Sequence, residues 1–316
     1  MPSSTNKVAF IFPGQGSQMI GMGRDLAEEF PIAYDVFKQA DELLSFSLSR
    51  IAWEGPKVKI NDTIYTQPAL LVHSIAVLRV FKNIFPEIQP HFIAGHSLGE
   101  FCALVASGSL SFEDALILVK ERGELMKRAG EVSPGCMVAI LGLDILTVEE
   151  ICIKVSTDDD VVQVAIDNCE GQVVISGSKV AMDNAIHALE IIGARRVIPL
   201  AVSIASHSPL MAKVQNEFSQ IVKTFSIVQP RVPIIGNVTA CSLNSVKGIR
   251  NELETQLTSR VRWRETIQYL NHEGVNTFIE MGSGNVLTGI LRRICKEAIG
   301  ISLSNPKDFE HLEPFA

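Results

Sequence analysis

The stretch Phe-Ile-Ala-Gly-His-Ser-Leu-Gly-Glu-Phe, residues 92–101, constrains the fold most. Gly95 and Gly99 flank Ser97 at two residues on either side. An apolar strand-like run precedes them, and a helix-like run, Leu98 to Ala106, follows and ends near Gly108. Gly-x-Ser-x-Gly between strand and helix is the pattern of a nucleophile elbow. The small residues leave room for neighbouring chains at a strained turn, and the following helix aims N–H groups at the serine oxygen. A plain turn shares the same regular expression, so the surroundings must decide.

The rest of the chain alternates in the same way. "KVAFIF" (7–12) is a short apolar run ended by Pro13-Gly14, a strand entering a turn. Residues 22–45 are helical in pattern, with Pro31 interrupting them. Residues 67–85 have helical spacing, with Pro68 near the start. Ser111 and Asp114 have capping-box-like spacing at the head of a further helix. From about residue 135 the rhythm becomes strand, helix, strand, strand, helix, strand, the βαββαβ order of a ferredoxin-like unit. Alternation then resumes with "VPIIGNVTA", a helical stretch at 248–272, "TFIEMGSG" and "NVLTGILRRICKEA". The expected fold class is α/β: a large α/β subdomain, residues 1–131 and 204–316, with a small ferredoxin-like subdomain, 132–203, inserted in it.

Composition removes several function classes. The 316 residues carry a net charge of -7, so no global field gathers nucleic acid or an anionic membrane. No apolar run approaches the ~18 residues of a membrane span, and the apolar run near the N-terminus is too short for a signal-peptide core. The six cysteines lack Cys-x-x-Cys spacing and read as free, mostly buried thiols of a cytoplasmic protein. No His/Cys/Asp/Glu cluster has metal-ligand spacing.

A reactive serine needs a base. His96 adjoins Ser97 and points poorly for that role, and His187 lies within a helix of the small unit. His207 follows the last strand of the small unit, in "SIASHSPLM", where the chain re-enters the larger one. A loop histidine at such a junction suits a cleft.

The helix after Ser111 carries a second anomaly. Phe112, Ala115, Leu118, Val119, Leu125, Met126 and Ala129 form one apolar stripe, and Arg122 falls in its middle. An inward arginine needs an anion, either an internal Asp/Glu or a ligand carboxylate, and its planar fork suits the latter as well as the former. The glycine-rich "FPGQGSQMIGMG" lacks the spacing of phosphate loops and reads as a strand-to-helix turn whose N–H groups approach a site. "MGSGN" (281–285) is another such turn. "RVRW" (260–263) and "ILRRICK" (290–296) are basic clusters, solvated faces or docking points for an acidic partner.

"FIFPGQGSQMIGMG", "GHSLGE", "VKERGELM", "SIASHSPLM", "SRVRW" and "GSGNVLTGI" occur in that order. Together they resemble the malonyl-CoA:acyl carrier protein transacylases of type II fatty acid synthesis, over about residues 7–300. The resemblance implies an α/β-hydrolase-like large subdomain with a ferredoxin-like insert. It implies Ser97 as nucleophile, His207 as general base and acid, and Arg122 as the partner of the malonyl carboxylate. It also implies Gln15 and Leu98 as backbone oxyanion donors, and Arg262 as the carbonyl that orients the histidine. Malonyl-CoA and acyl carrier protein are the implied partners, with no cofactor and a monomeric chain; an acidic carrier would need a local basic patch, for which Arg292 and Arg293 are the candidates. Arg260 stands where the family often has proline, and Glu170-Gly171-Gln172 where it commonly has Pro-Gly-Gln. Two rivals stand beside this reading: a serine esterase or thioesterase of α/β-hydrolase type, which shares the elbow, and, from another class, a non-catalytic acyl-carrier docking module.

Overall fold

The computed structural model describes residues 7–202 and 204–315. Residue 203, the expected end of the small unit, lies outside the described residues, as do residues 1–6 and 316.

Ten strands are seen among the described residues: β1 (Lys7–Phe12), β2 (Phe92–Gly95), β3 (Gly135–Leu141), β4 (Val162–Cys169), β5 (Gln172–Ser178), β6 (Arg196–Pro199), β7 (Ile234–Ile235), β8 (Ser242–Leu243), β9 (Val275–Met281) and β10 (Ile299–Leu303). They form two sheets. The larger has the order β10-β9-β1-β2-β7-β8 and is parallel except for the β7–β8 pair. Its inner strands are largely buried, as expected where helices cover both faces, and β9 buries Thr277 and Glu280 among its apolar residues. Ala9 to Phe12 and Thr277 to Met281 are all buried. Strand β10 pairs in register with β9 beyond the last element legible in the sequence.

The smaller sheet has the order β4-β5-β3-β6, with every neighbour antiparallel. The helices Ile145–Val155 and Lys179–Ile191 pack on one face, against Val138, Ile140, Val164 and Ile175. The other face turns to the large unit, where Met137, Ala165, Ile166 and Val174 meet Trp263 and Ile267. A bulge in β4 between Val164 and Ile166 re-aims its side chains toward that interface. Glu170-Gly171 forms the tight β4–β5 turn ahead of Gln172, with Gly171 at a φ of 65°.

Three sequence expectations are revised. The helix expected at 67–85 begins at Thr63, because the Asp62 carboxylate caps it by accepting the Ile64 N–H at 3.2 Å. Pro68 therefore lies inside it. That 22-residue helix is also long and apolar enough by composition to cross a membrane, yet 83% of its most apolar window is buried inside the protein. The stretch 248–272 is two helices, Val246–Leu253 and Trp263–His272, parted by an irregular segment that proves central to the site.

Candidate active site

Ser97 sits between β2 and the Gly99–Ala106 helix with φ of 51°, the left-handed conformation of a strained elbow. The two glycines are required by contact. A Cβ on Gly95 would lie 1.9 Å from the Gly99 carbonyl oxygen, and one on Gly99 would lie 2.1 Å from that of Phe12. The turn presents its serine to a histidine: Ser97 Oγ is 2.8 Å from His207 Nε2.

His207 comes from the loop after β6, as expected, and its φ of 58° is also left-handed. Gln163 of β4 holds that backbone by donating from Nε2 to the His207 carbonyl at 2.7 Å. His207 Nδ1 faces two carbonyl oxygens, of Gln256 at 2.9 Å and Ser259 at 3.0 Å. Carbonyls only accept, so Nδ1 carries the proton and Nε2 presents its lone pair to Ser97. The orienting carbonyl expected at Arg262 is therefore corrected. The Arg262 carbonyl caps its own helix by accepting the Thr266 N–H at 2.9 Å, and its side chain pairs with Glu265. The segment was right at its first residue, Ser259; Gln256 lies upstream of it.

Burial, and then the charge of Arg122, push His207 down to about 3, against the pull of the Gln256 carbonyl. The imidazole is thus neutral near neutral pH. His96 is excluded as its rival: its Nε2 lies 3.0 Å from Asn168 Oδ1, and its ring packs on Trp263.

Arg122 is 1% exposed. Nη1 donates to Gln67 Oε1 at 2.6 Å; Nη2 donates to Gln256 Oε1 at 2.9 Å and to Ser97 Oγ at 3.2 Å. Its guanidinium carbon lies 5.6 Å from the Phe101 ring centroid. No carboxylate pairs with it directly among the described residues, and its Nε has no partner. Burial lowers its pKa to about 10, so it stays cationic near neutral pH. Of the two anions open to it from sequence, the internal ion pair is not made.

A cleft between the two sheets joins these groups. Gln15, Leu98 and Arg122 line it with Ser97 and His207, and Met126, Met137, Ile166, Leu200, Val202 and Ile204 form apolar walls. Neither the Gln15 nor the Leu98 N–H has an acceptor among the described residues. The Ser97 N–H, in contrast, donates to Asn237 Oδ1 at 2.6 Å. Three residues that sequence reasoning passed over, Gln67, Asn237 and Gln256, thus belong to the site.

Residues 9–306 match the acyl transferase domain family. The chain is 43% identical over 305 residues to a malonyl CoA-acyl carrier protein transacylase of Bacillus subtilis, covering 96% of each chain. It is 41% identical over 309 residues to that of Haemophilus influenzae, covering 98% of this chain and 99% of the relative. This chain belongs to the malonyl CoA-acyl carrier protein transacylase family. Among solved structures, the acyl carrier protein S-malonyltransferase of Vibrio cholerae superposes with a TM-score of 0.94 at 38% identity, covering 98% of this chain and all of that one. A malonyl-transacylase solved in complex with its type II PKS acyl-carrier protein gives 0.94 at 36% identity, covering 98% and 100%. Membership in the family fits the α/β architecture of two sheets around one cleft.

Proposed function

We propose that this protein transfers the malonyl group from malonyl-CoA to the phosphopantetheine thiol of acyl carrier protein, through a malonyl-Ser97 intermediate, and so supplies fatty acid synthesis. The observation that carries the proposal is the buried Arg122, cationic, without a carboxylate partner, and 3.2 Å from the nucleophilic oxygen. Two C–C bonds of about 1.5 Å separate the reacting carbonyl of a malonyl thioester from its free carboxylate. A cation this close to the nucleophile suits a diacid that short.

His207 Nε2 takes the Ser97 proton as Oγ attacks the thioester carbonyl. The N–H groups of Gln15 and Leu98 hold the oxyanion; one such donor is typically worth ~10²–10³ in rate. The tetrahedral intermediate collapses, the C–S bond breaks, and the CoA sulfur leaves with the proton from His207. The carrier thiol then gives its proton to His207 and attacks malonyl-Ser97; collapse returns Oγ with the proton. A carboxylate behind the histidine, expected of a hydrolase triad, is replaced by two carbonyls. The apolar walls support transfer over hydrolysis, because they offer water few partners. No step calls on a metal or cofactor.

The same reading takes residues 1–131 and 204–316 as an α/β-hydrolase-like unit carrying Ser97 and His207, and 132–203 as a ferredoxin-like unit that closes the cleft. It takes the protein as a cytoplasmic monomer. Intact-mass analysis after incubation with malonyl-CoA tests the reaction. A malonyl adduct should form, vanish in Ser97→Ala and discharge onto carrier protein. Free malonate with no lasting adduct would replace the transferase by a hydrolase, and no turnover at all would leave a docking module.

A further inference from the structure

Glu100 is the second residue of the Gly99–Ala106 helix and is 1% exposed. The mechanism above does not use it. Its Oε1 accepts from the Asn237 backbone N–H at 3.0 Å and from Asn237 Nδ2 at 3.1 Å. Its Oε2 accepts a short hydrogen bond from Gln256 Nε2. These are all donors, which suits a carboxylate that only accepts.

The two amides it touches bracket the nucleophile. Asn237 Oδ1 accepts the Ser97 N–H at 2.6 Å, and Gln256 Nε2 donates to the Ser97 carbonyl at 3.1 Å. Both polar backbone groups of the strained residue are therefore held by side chains that Glu100 holds in turn. Gln256 reaches further. Its Oε1 accepts from Arg122 Nη2 at 2.9 Å, and its backbone carbonyl faces His207 Nδ1 at 2.9 Å. An amide has a donor end and an acceptor end, and its orientation is set by its partners. With Glu100 accepting from its NH2, Gln256 must turn its oxygen to Arg122. Turned the other way, its NH2 would face the guanidinium.

We infer that Glu100 is the positioning residue of this site: by fixing the amide orientations of Asn237 and Gln256, it sets the Ser97 elbow and the acyl-selecting face of Arg122 together. Glu100 is linked to buried Arg122 through one intervening amide, that of Gln256. Burial and the neighbouring Glu252 push the Glu100 carboxyl up, while its N–H partners and Arg122 oppose that rise. The inference rests on the reading of Ser97 as nucleophile.

The test compares wild type, Glu100→Gln, Gln256→Leu and the double variant. Each is assayed for the rate of Ser97 acylation by malonyl-CoA and by acetyl-CoA, read by intact mass. In Glu100→Gln a donor replaces an acceptor and faces Asn237 or Gln256 N–H groups. Malonyl loading should fall about 30- to 100-fold and the malonyl-to-acetyl preference about 10-fold. The double variant should lose far less than the product of the single losses, since both act through one network. An unchanged preference, or losses that multiply, would overturn the role. Should Glu100→Gln fail to fold, Asn237→Ala, Gln256→Leu and their double carry the same comparison, with the same two results deciding it. A wild-type protein that gains no adduct would instead strike the reading of Ser97 itself.

Discussion

Arg122→Met keeps an apolar stem in the stripe and removes the charge, and it should act on two observables at once. The first is selectivity. Breaking a buried pair between the guanidinium and the malonyl carboxylate costs about 3–5 kcal/mol. That corresponds to a loss of roughly 10²–10³ or more in kcat/KM for malonyl-CoA. Acetyl-CoA brings no carboxylate, so its loading should change less than about tenfold. The second observable is the pH profile. Nη2 lies 3.2 Å from Ser97 Oγ, and that oxygen lies 2.8 Å from His207 Nε2. A full positive charge thus sits within about 6 Å of the imidazole, worth roughly 3 kcal/mol at an effective dielectric of about 20. That energy is about two pKa units. Removing a positive neighbour favours the imidazolium, so His207 rises from about 3 in the variant. The acid limb of acetyl loading should then move up by as much as about two pH units. Rapid-quench intact-mass measurements from about pH 2.5 to 8 with both thioesters give both numbers. Equal losses for malonyl and acetyl, or an acid limb that stays in place, would refute the clamp and the coupling respectively.

Three further outcomes follow from the geometry. Gly95→Ala and Gly99→Ala should each cost about 3 kcal/mol or more and abolish acylation, because each Cβ meets a carbonyl oxygen at about 2 Å; urea midpoints and adduct formation measure this. His73 is buried and pushed down from 6.5 to about 4, so between those pH values the folded protein binds fewer protons than the unfolded chain. Its share of stability is therefore full above pH 6.5 and falls as pH drops toward 4, by up to about 3 kcal/mol; His73→Gln should flatten that part of the stability–pH curve. Burial pushes the Cys102 and Cys152 thiols up to about 12, while Cys241 is exposed. Native alkylation followed by peptide mapping should label Cys241 early and the other two only after unfolding.

What the chain disclosed in advance was whatever violates a local rule. Paired glycines around a serine and an arginine within an apolar stripe are both departures a single segment can display. The amides were not legible. Gln67, Asn237 and Gln256 are ordinary polar residues in their own segments, and their meaning arises when distant pieces of chain converge. Gln256 was further hidden because 248–272 has continuous helical patterning. The break is made by hydroxyls that bond their own backbone, Thr255 Oγ1 to Asn251 O at 3.0 Å and Thr258 Oγ1 to Thr255 O at 3.1 Å. Glu100 is the inverse of Arg122, an inward charge, but an acid in the first turn of a helix is also what the helix dipole favours, so it raised no alarm. The architecture was more readable than the site, since strand and helix periodicity is local and the hydrogen-bond network is not.

The acceptors of His207 lie late in the chain, and 159 residues separate Ser97 from Gln256. At ribosomal speeds of about 5–20 residues per second, the serine emerges roughly 10–30 seconds before the residue that fixes its base. Through that interval Ser97 has no carbonyl behind its histidine and no Gln256 amide at its backbone. β1 also still lacks β9, which pairs with it from residues 275–281. A chain that has not yet reached Gln256 therefore lacks both a carbonyl that faces His207 and the amide that holds the Ser97 carbonyl.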